Sequence, residues 1–563
     1  MTATRDAIAV PDSTQPAIAL LRELRRGHGK KQAASVAYWV YLVAFLVLVY
    51  GGSVIAAAVR ALRHPPAATA QTPHVLQAAP AGLAALALIV LVVLARDALW
   101  RGPVTLPQAA VDWLLGTPVD RGALLRPRFR LSAALAIVAG AAAGIVPAAA
   151  LVALGLGAGN GGAGYHGASY HGASGVLRLT GASMLSMALL FAFATGVAGL
   201  IERYPASWPW LRRVTPVAVA VAAAFAGLAT WAMLGRPPAV LADIALWSGP
   251  WGWAGQATVA AAGGAAPLWP LAIGALGLLA VAALARAHRA AAGVPGPALR
   301  IRAATLGAIS AAAFNMDTRS VAVAYSAAGA ARRARFRLRP PRQRQLVLFW
   351  RDLLALGRAP SRLVGAVALT LLAVGLIAVA RRGGRDPLVP VACALALGYL
   401  AAAWLCEGAR LDADDTRRSV PLPFRFASLA WWHAAVPCLV LLVVAGVPGA
   451  ALCLAAGDPR LLVLLVAVPV LIGGAMVNVF RGQYPPDLFS GVDTPFGNTA
   501  AVRIVFWYAW GPILAVAPMA VLASSAIGTP DPAALARALV IGAALAAAFG
   551  AYAARRAGRL RAG

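Results

Sequence analysis

Long apolar runs recur along the chain, and the short stretches between them hold nearly all of its charge. The runs fall at about 36–59, 79–95, 131–155, 179–200, 215–234 and 268–285, then at about 363–380, 389–406, 430–447, 461–479, 504–525 and 536–553. About 20 apolar residues wound as a helix cross the ~30 Å hydrocarbon core of a bilayer. Inside it the backbone must satisfy its own hydrogen bonds. The pattern predicts an all-α, polytopic membrane protein of about 12 transmembrane helices in two six-helix halves. Residues 1–34 read as a cytoplasmic tail with an amphipathic surface helix and 35–287 as the first half. Residues 288–345 read as an Arg-rich connector, and 346–563 as a second surface helix and the second half.

Composition agrees. Of 563 residues 61% are hydrophobic and 12% charged, about half the charge of a soluble domain. The net charge of +30 comes almost wholly from arginine, with Lys30 and Lys31 the only lysines. These cations sit in short loops beside apolar runs, a topogenic pattern and not a nucleic-acid footprint, so no nucleic-acid partner is expected. With both termini cytoplasmic, 40 Lys and Arg fall inside. Nine fall outside: Arg60, Arg63, Arg178, Arg236, Arg381, Arg382, Arg385, Arg460 and Arg537. That asymmetry predicts a multi-pass inner-membrane protein with cytoplasmic ends.

The first 34 residues are polar, carry Asp6, Asp12 and Glu23, and precede a run too long for a signal core, so no cleavable signal peptide is expected. Cys393, Cys406, Cys438 and Cys453 lie in or beside apolar runs without metal-ligand spacing and read as small buried hydrophobes. No cofactor or metal is expected.

The halves resemble each other. Arg22-Glu23-Leu24 and Arg351-Asp352-Leu353 stand at similar distances before the first and seventh runs, each on a short amphipathic surface helix. The second run of each half ends near an acid, Asp97 or Glu407. A polar stretch follows, closing on PVDR at 118–121 or LPFR at 422–425. The connector carries seven Arg between Arg332 and Arg344, an anchor for anionic lipids.

The stretch GPVTLPQAAVDWLLGTPVDRGALLRPRF (102–129) reads as a docking platform. Leu106, Ala110, Trp113 and Leu114 fall on one helical face, with Gln108 and Asp112 opposite. Thr117, Pro118 and Asp120 suit the N-cap, N1 and N3 positions of a further short helix. Outside, YHGASYHGAS (165–174) reads as a flexible tandem repeat. SGPWGWAGQ (248–256) reads as an aromatic belt at the headgroups, with a re-entrant gate as the alternative.

Energy coupling narrows the function. None of the 19 acids falls at the middle of a run, no lysine is buried, and His433 lies near the inner end of the ninth run. Ionisable groups in hydrocarbon are costly and mark proton pathways, so proton-coupling machinery is missing from the runs. No GxxxxGK[ST] loop is present, which places any ATP hydrolysis in a separate chain.

The order of surface helix, two spans, polar inner segment with an LPxxR-like turn and four more spans resembles the membrane subunit of type-2 ABC exporters. The strings WRDLLALGRAP, GPVTLPQAAVDWLLGTPVDRGALLRPR, SGPWGWAGQ and DTPFGNTAAVRIVFWYAWGP are similar to a family of uncharacterised actinobacterial permease-like membrane proteins. The resemblance implies an exporter of a lipophilic or amphipathic substrate. It also implies two separate ABC-type ATPase subunits seated on Asp112, Trp113, Asp120, Arg121 and Arg126 in the first half. In the second half the seats would be Arg410, Asp412, Asp415, Arg418 and Arg425.

Two alternatives stay open. Gly116 and Asp120-Arg121 are similar to the start of the major facilitator signature loop, although Gly122 follows the Arg directly where that loop has an intervening residue. That resemblance implies a gradient-driven efflux carrier. Asp412, Asp414 and Asp415 in LDADDTRR are similar to the Asp-rich loops of membrane enzymes that bind diphosphates through magnesium.

Overall fold

The computed structural model describes residues 72–99, 102–114, 119–153, 173–314, 346–358, 360–382, 387–419, 424–482 and 500–562. It also describes positions 117, 156, 339, 341–343, 493–494 and 497–498. The expected first span, Arg22 and Glu23, residues 315–338 of the connector, and 165–172 of the tandem repeat lie outside these.

The described chain is helical. In order come α1 (Thr72–Asp97), α2 (Gln108–Leu114), α3 (Arg121–Ala143), α4 (Ile145–Ala153), α5 (Ala173–Arg203), α6 (Trp208–Leu234), α7 (Ala239–Trp247), α8 (Pro250–Ala261), α9 (Trp269–Ala290) and α10 (Gly296–Phe314). They are followed by α11 (Val347–Arg358), α12 (Pro360–Arg382), α13 (Leu388–Leu405), α14 (Glu407–Asp414), α15 (Phe426–Ala456), α16 (Val463–Val479), α17 (Ala500–Gly528) and α18 (Pro532–Ala562). A two-residue antiparallel pairing joins Asp493–Thr494 to Gly497–Asn498.

Ten of the described helices are long and apolar enough to cross a membrane, and each overlies an expected run. The seventh expected run forms α12, whose stretch Arg362–Ala378 meets the amphipathic α11 at 91°. Large apolar side chains such as Leu271, Leu278 and Val281 on α9 face outward. Surface of that kind is expensive in water and ordinary in lipid. The architecture is that of a multi-pass membrane protein.

The chain divides into two compact units, one of residues 1–214 and 237–331, the other of residues 215–236 and 332–563. In the first, α5 is the hub, packed on α1, α3, α8 and α9. Gly196 and Gly199 let it lie against Ala283 and Ala287 of α9 with no room for a Cβ, the small-residue contact that lipid-embedded helices use. SGPWGWAGQ follows α7 directly. It begins α8, which with α7 makes two short helices folded into the bundle against α1, α5 and α9. Small residues explain this: a Cβ at Gly252 would collide with the Ala245 carbonyl, and Gln256 Nε2 donates to Leu246 O at 3.0 Å.

In the second unit the centre is α16, apolar on every face as buried helices are and packed against α13, α15, α17 and α18. Two polar clasps mark its opposite ends. One surrounds His433, early in α15. The other, past the end of α15, joins Asp458 to Arg381 at 2.6 Å and to Arg460. The Arg460 side chain also donates to Ile527 O at 2.9 Å. These hydrogen bonds hold the Asp458 carboxyl well below the usual carboxylate range against the opposing effect of burial.

Candidate functional site

The polar segments after α1 and after α13, expected to be platforms, are where the geometry is most specific. In the first unit, residues 98–120 leave α1 and return to α3. Among the described residues of that segment only Gln108–Leu114 is helical, so Leu106 stands before the helix and the expected helical face does not form. Instead Leu106 and Val111 are buried, together with Leu125, Phe129, Val294 and Leu299. Trp113 is 79% exposed beside an exposed Asp112. The further short helix also does not form. Asp120 is itself the N-cap of α3, accepting from Gly122 N at 3.0 Å and Ala123 N at 2.9 Å, and α3 continues through Pro127 into the long apolar run. An Asp held against two orphan N–H groups outcompetes a Thr three residues earlier. Arg126 is exposed. Arg121 is half-buried, its Nη2 donating to Val294 O at 3.1 Å.

Beneath this segment lies a buried ion pair absent from the sequence expectations. Glu202, the second-last residue of α5, is 0% exposed; Arg302 of α10 reaches it and is also buried. The Glu202 carboxylate accepts from Val104 N at 3.1 Å, and Arg302 Nη2 donates to Ala98 O at 3.2 Å. The guanidinium carbon stands 5.7 Å from the Trp208 ring centroid, and Trp208 Nε1 donates to Ile201 O. Burial lowers the pKa of Arg302 while Glu202 opposes the shift. Gly102 makes the pairing fit: its φ is +65°, and a Cβ there would lie 2.8 Å from the carboxylate. One cluster thus ties the segment after α1, the end of α5, the start of α6 and α10. Because α2 packs on α10, the exposed Trp113 is one packing contact from Arg302. Arg302 therefore does not belong to a solvated connector. The available signals were its place in the otherwise apolar run 303–314 and the acid just past a span.

The second unit repeats the arrangement with other residues. Asp352, expected on a surface helix, is buried, and Asp412, expected on the docking surface, is 2% exposed. Both turn inward because His433 stands between them. Its Nδ1 lies 2.6 Å from Asp352 Oδ2 and its Nε2 lies 3.2 Å from Asp412 Oδ2. Arg351, half-buried, places Nη2 on Asp412 and 3.3 Å from His433 Nε2. Ser419 Oγ donates to Asp412 at 2.7 Å. Gly408 of α14 sits where a Cβ would be 2.5 Å from the Asp352 carboxylate, so α14 closes on α11 only as glycine allows. Burial works to raise the Asp412 pKa; the hydrogen bonds from His433, Arg351 and Ser419 overcome it and hold the carboxyl well below the usual range. With those donors engaged, Asp412 is not presented to a metal.

Asp415 and Arg425 are exposed, Arg425 standing at the N-cap of α15 as Asp120 does for α3. Arg418 lies in the turn Thr416–Ser419. Arg410 lies 3.5 Å from Glu407, which also meets Arg362 at 3.2 Å. Cys393 is exposed, Cys406 buried and the other two cysteines intermediate; all four are free.

Titratable burial therefore exists where the apolar pattern gave none, but away from the middles of the membrane-length helices. No described acid occupies the middle of a long apolar helix. Comparison with protein-family models, curated proteins and solved structures gives no match.

Proposed function

We propose that this chain is the transmembrane subunit of an ATP-driven exporter, arranged as two six-helix halves with both termini cytoplasmic. It would move a lipophilic or amphipathic substrate outward and bind two separate ABC-type ATPase subunits on its inner face. One observation supports this most. The polar segments after α1 and after α13 each present exposed side chains and are each fastened by an ion pair with a buried carboxylate, Glu202 or Asp412, to the helices behind them. Force on Trp113 or Asp112 passes through α2 and α10 to Glu202 and α5. Force on Asp415 or Arg425 passes through Asp412 to α11 and α15. A buried charge pair resists separation because a lone partner is costly, so such a linkage transmits displacement instead of absorbing it. The two short helices α7 and α8, folded against α1, α5 and α9, are suited to a gate.

The partner surface is testable by cross-linking. Cysteines placed at Trp113 and Arg425, with the four native cysteines removed, should cross-link to a Walker-type ATPase encoded beside this chain. No cross-link from either position would remove the platform assignment.

A gradient-driven carrier is the second reading, favoured by His433. When neutral, its Nε2 accepts from Arg351; when protonated, it donates to Asp412, and Asp352 faces Nδ1 in both states. The ring can thus take up a proton without losing its partners. Its place near the start of α15, away from mid-helix, weighs against a transmembrane proton path. A diphosphate-using enzyme is weakened by the engagement of Asp412.

A further inference from the structure

We propose that the second unit binds the phosphate of an anionic phospholipid at Arg481, with Arg556 as its second cation. Arg481 lies just past the end of α16, followed by Gly482 at φ +84°. Its guanidinium carbon stands 3.5 Å from the Trp507 ring centroid, which fixes the plane of the fork and shields one face from water. Nη1 of that fork is buried and has no hydrogen-bond partner among the described residues. A buried charged donor left unmade is among the costlier features a fold can keep, and it is retained where something outside the chain satisfies it.

The surroundings say what that something is. Arg556 of α18 comes to the same place, its Nη1 donating to Arg481 O at 3.4 Å and its Nε to Tyr552 Oη at 3.2 Å. No ion pair from either arginine is present among the described residues. The acids of this unit that do form ion pairs (Asp352, Glu407, Asp412, Asp458 and Asp531) answer other cations. Burial and then the neighbouring Arg556 bring the Arg481 pKa down to about 10, so the group stays charged at neutral pH. Two close cations with no ion pair among the described residues call for an anion, and a phosphate offers several oxygens that both forks can share.

Position selects the lipid among phosphates. Arg481 follows the C-terminal end of one apolar helix, Trp507 is in the first third of α17, and Arg556 is in the last quarter of α18. The site is thus at the ends of membrane-length helices, where headgroups lie. Arg555 and Arg559 are exposed nearby on α18 and provide a basic rim. Phe506 and Trp510, four residues apart on α17, expose apolar surface to receive an acyl chain.

The test uses purified, delipidated full-length chain in detergent, offered phosphatidylglycerol, phosphatidylcholine or inorganic phosphate, with retention read by native mass spectrometry and protection by Tm. Phosphatidylglycerol should be retained by the wild type and should raise Tm. Phosphatidylcholine should bind at least about tenfold more weakly, and millimolar inorganic phosphate should not reproduce the protection. Arg481→Gln should weaken phosphatidylglycerol binding about tenfold or more, Arg556→Gln less, and the control Arg537→Gln not at all. Should Arg481→Gln not fold, Arg481→Lys keeps the charge without the fork and should still lose affinity. Equal retention of phosphatidylglycerol by the Arg481 and Arg556 variants overturns the site. So does equal binding of phosphatidylcholine, and protection by inorganic phosphate alone assigns a small-anion site instead.

Discussion

The Glu202 carboxylate and the Arg302 guanidinium meet in the interior of the first unit although 100 residues separate them in sequence. The pair fastens the segment after α1 to α5 through Val104 and Ala98. Mechanical continuity between an exposed platform and a membrane-length helix rests on that contact.

Removing one member should expose its role. Glu202→Gln leaves Arg302 buried without a counter-charge and should cost about 3–5 kcal/mol. It should be read as a lower Tm in detergent. Replacing both, Glu202→Gln with Arg302→Met, should recover much of the loss, since no buried charge then remains and the Gln amide oxygen can still accept from Val104 N. A single variant as stable as the wild type would mean that the two groups do not depend on each other.

Gly102 carries the same contact in its backbone. Gly102→Ala meets both a left-handed φ and the Glu202 carboxylate, and should destabilise by more than about 1 kcal/mol. Gly181→Ala on α5, where nothing lies within 4 Å, should be neutral. Urea or thermal unfolding of the two variants side by side makes the comparison.

Asp412 predicts an acid limit. Its folded pKa is depressed, so its contribution is fully present above the unfolded carboxylate pKa of about 4 and is lost as pH falls through the folded value. The wild-type Tm should hold level from about pH 6 to 5 and decline below about pH 4. Asp412→Asn should be less stable at neutral pH and should lack that part of the decline. Parallel acid profiles with a constant offset would contradict the assignment.

Arg126 and Arg425 are exposed. Reversing both charges should leave insertion and Tm within about 0.5 kcal/mol of wild type. Substrate transport should drop about tenfold or more while ATP hydrolysis by the partner continues. Transport at the wild-type rate would show that these faces are not where the partner pushes.

Helix positions were legible because twenty-residue apolar runs have few alternatives in a bilayer, and ten overlie helices. The PVDR and LPFR turns were also legible: each stands at the start of a long helix, α3 or α15. What pattern did not disclose is tertiary. His433 joins Asp352 from 81 residues away, and Asp412 turns inward only because that ring is there. Thr117 read as the cap with Asp120 at N3, whereas Asp120 itself caps α3. The Trp residues at 251 and 253 have the composition of an interfacial belt, yet Gly252 and Gly255 between and beyond them let α8 fold into the bundle. Charge count alone could not tell Arg302 from its solvated neighbours, because burial depends on the acid it meets.

Reconstitution into liposomes tests the energy source most directly. Purified chain alone should move no substrate under an imposed pH gradient, and transport should appear on adding the partner ATPase with ATP. Transport driven by the pH gradient with no ATPase present, and abolished by His433→Gln, would contradict the account and establish the carrier.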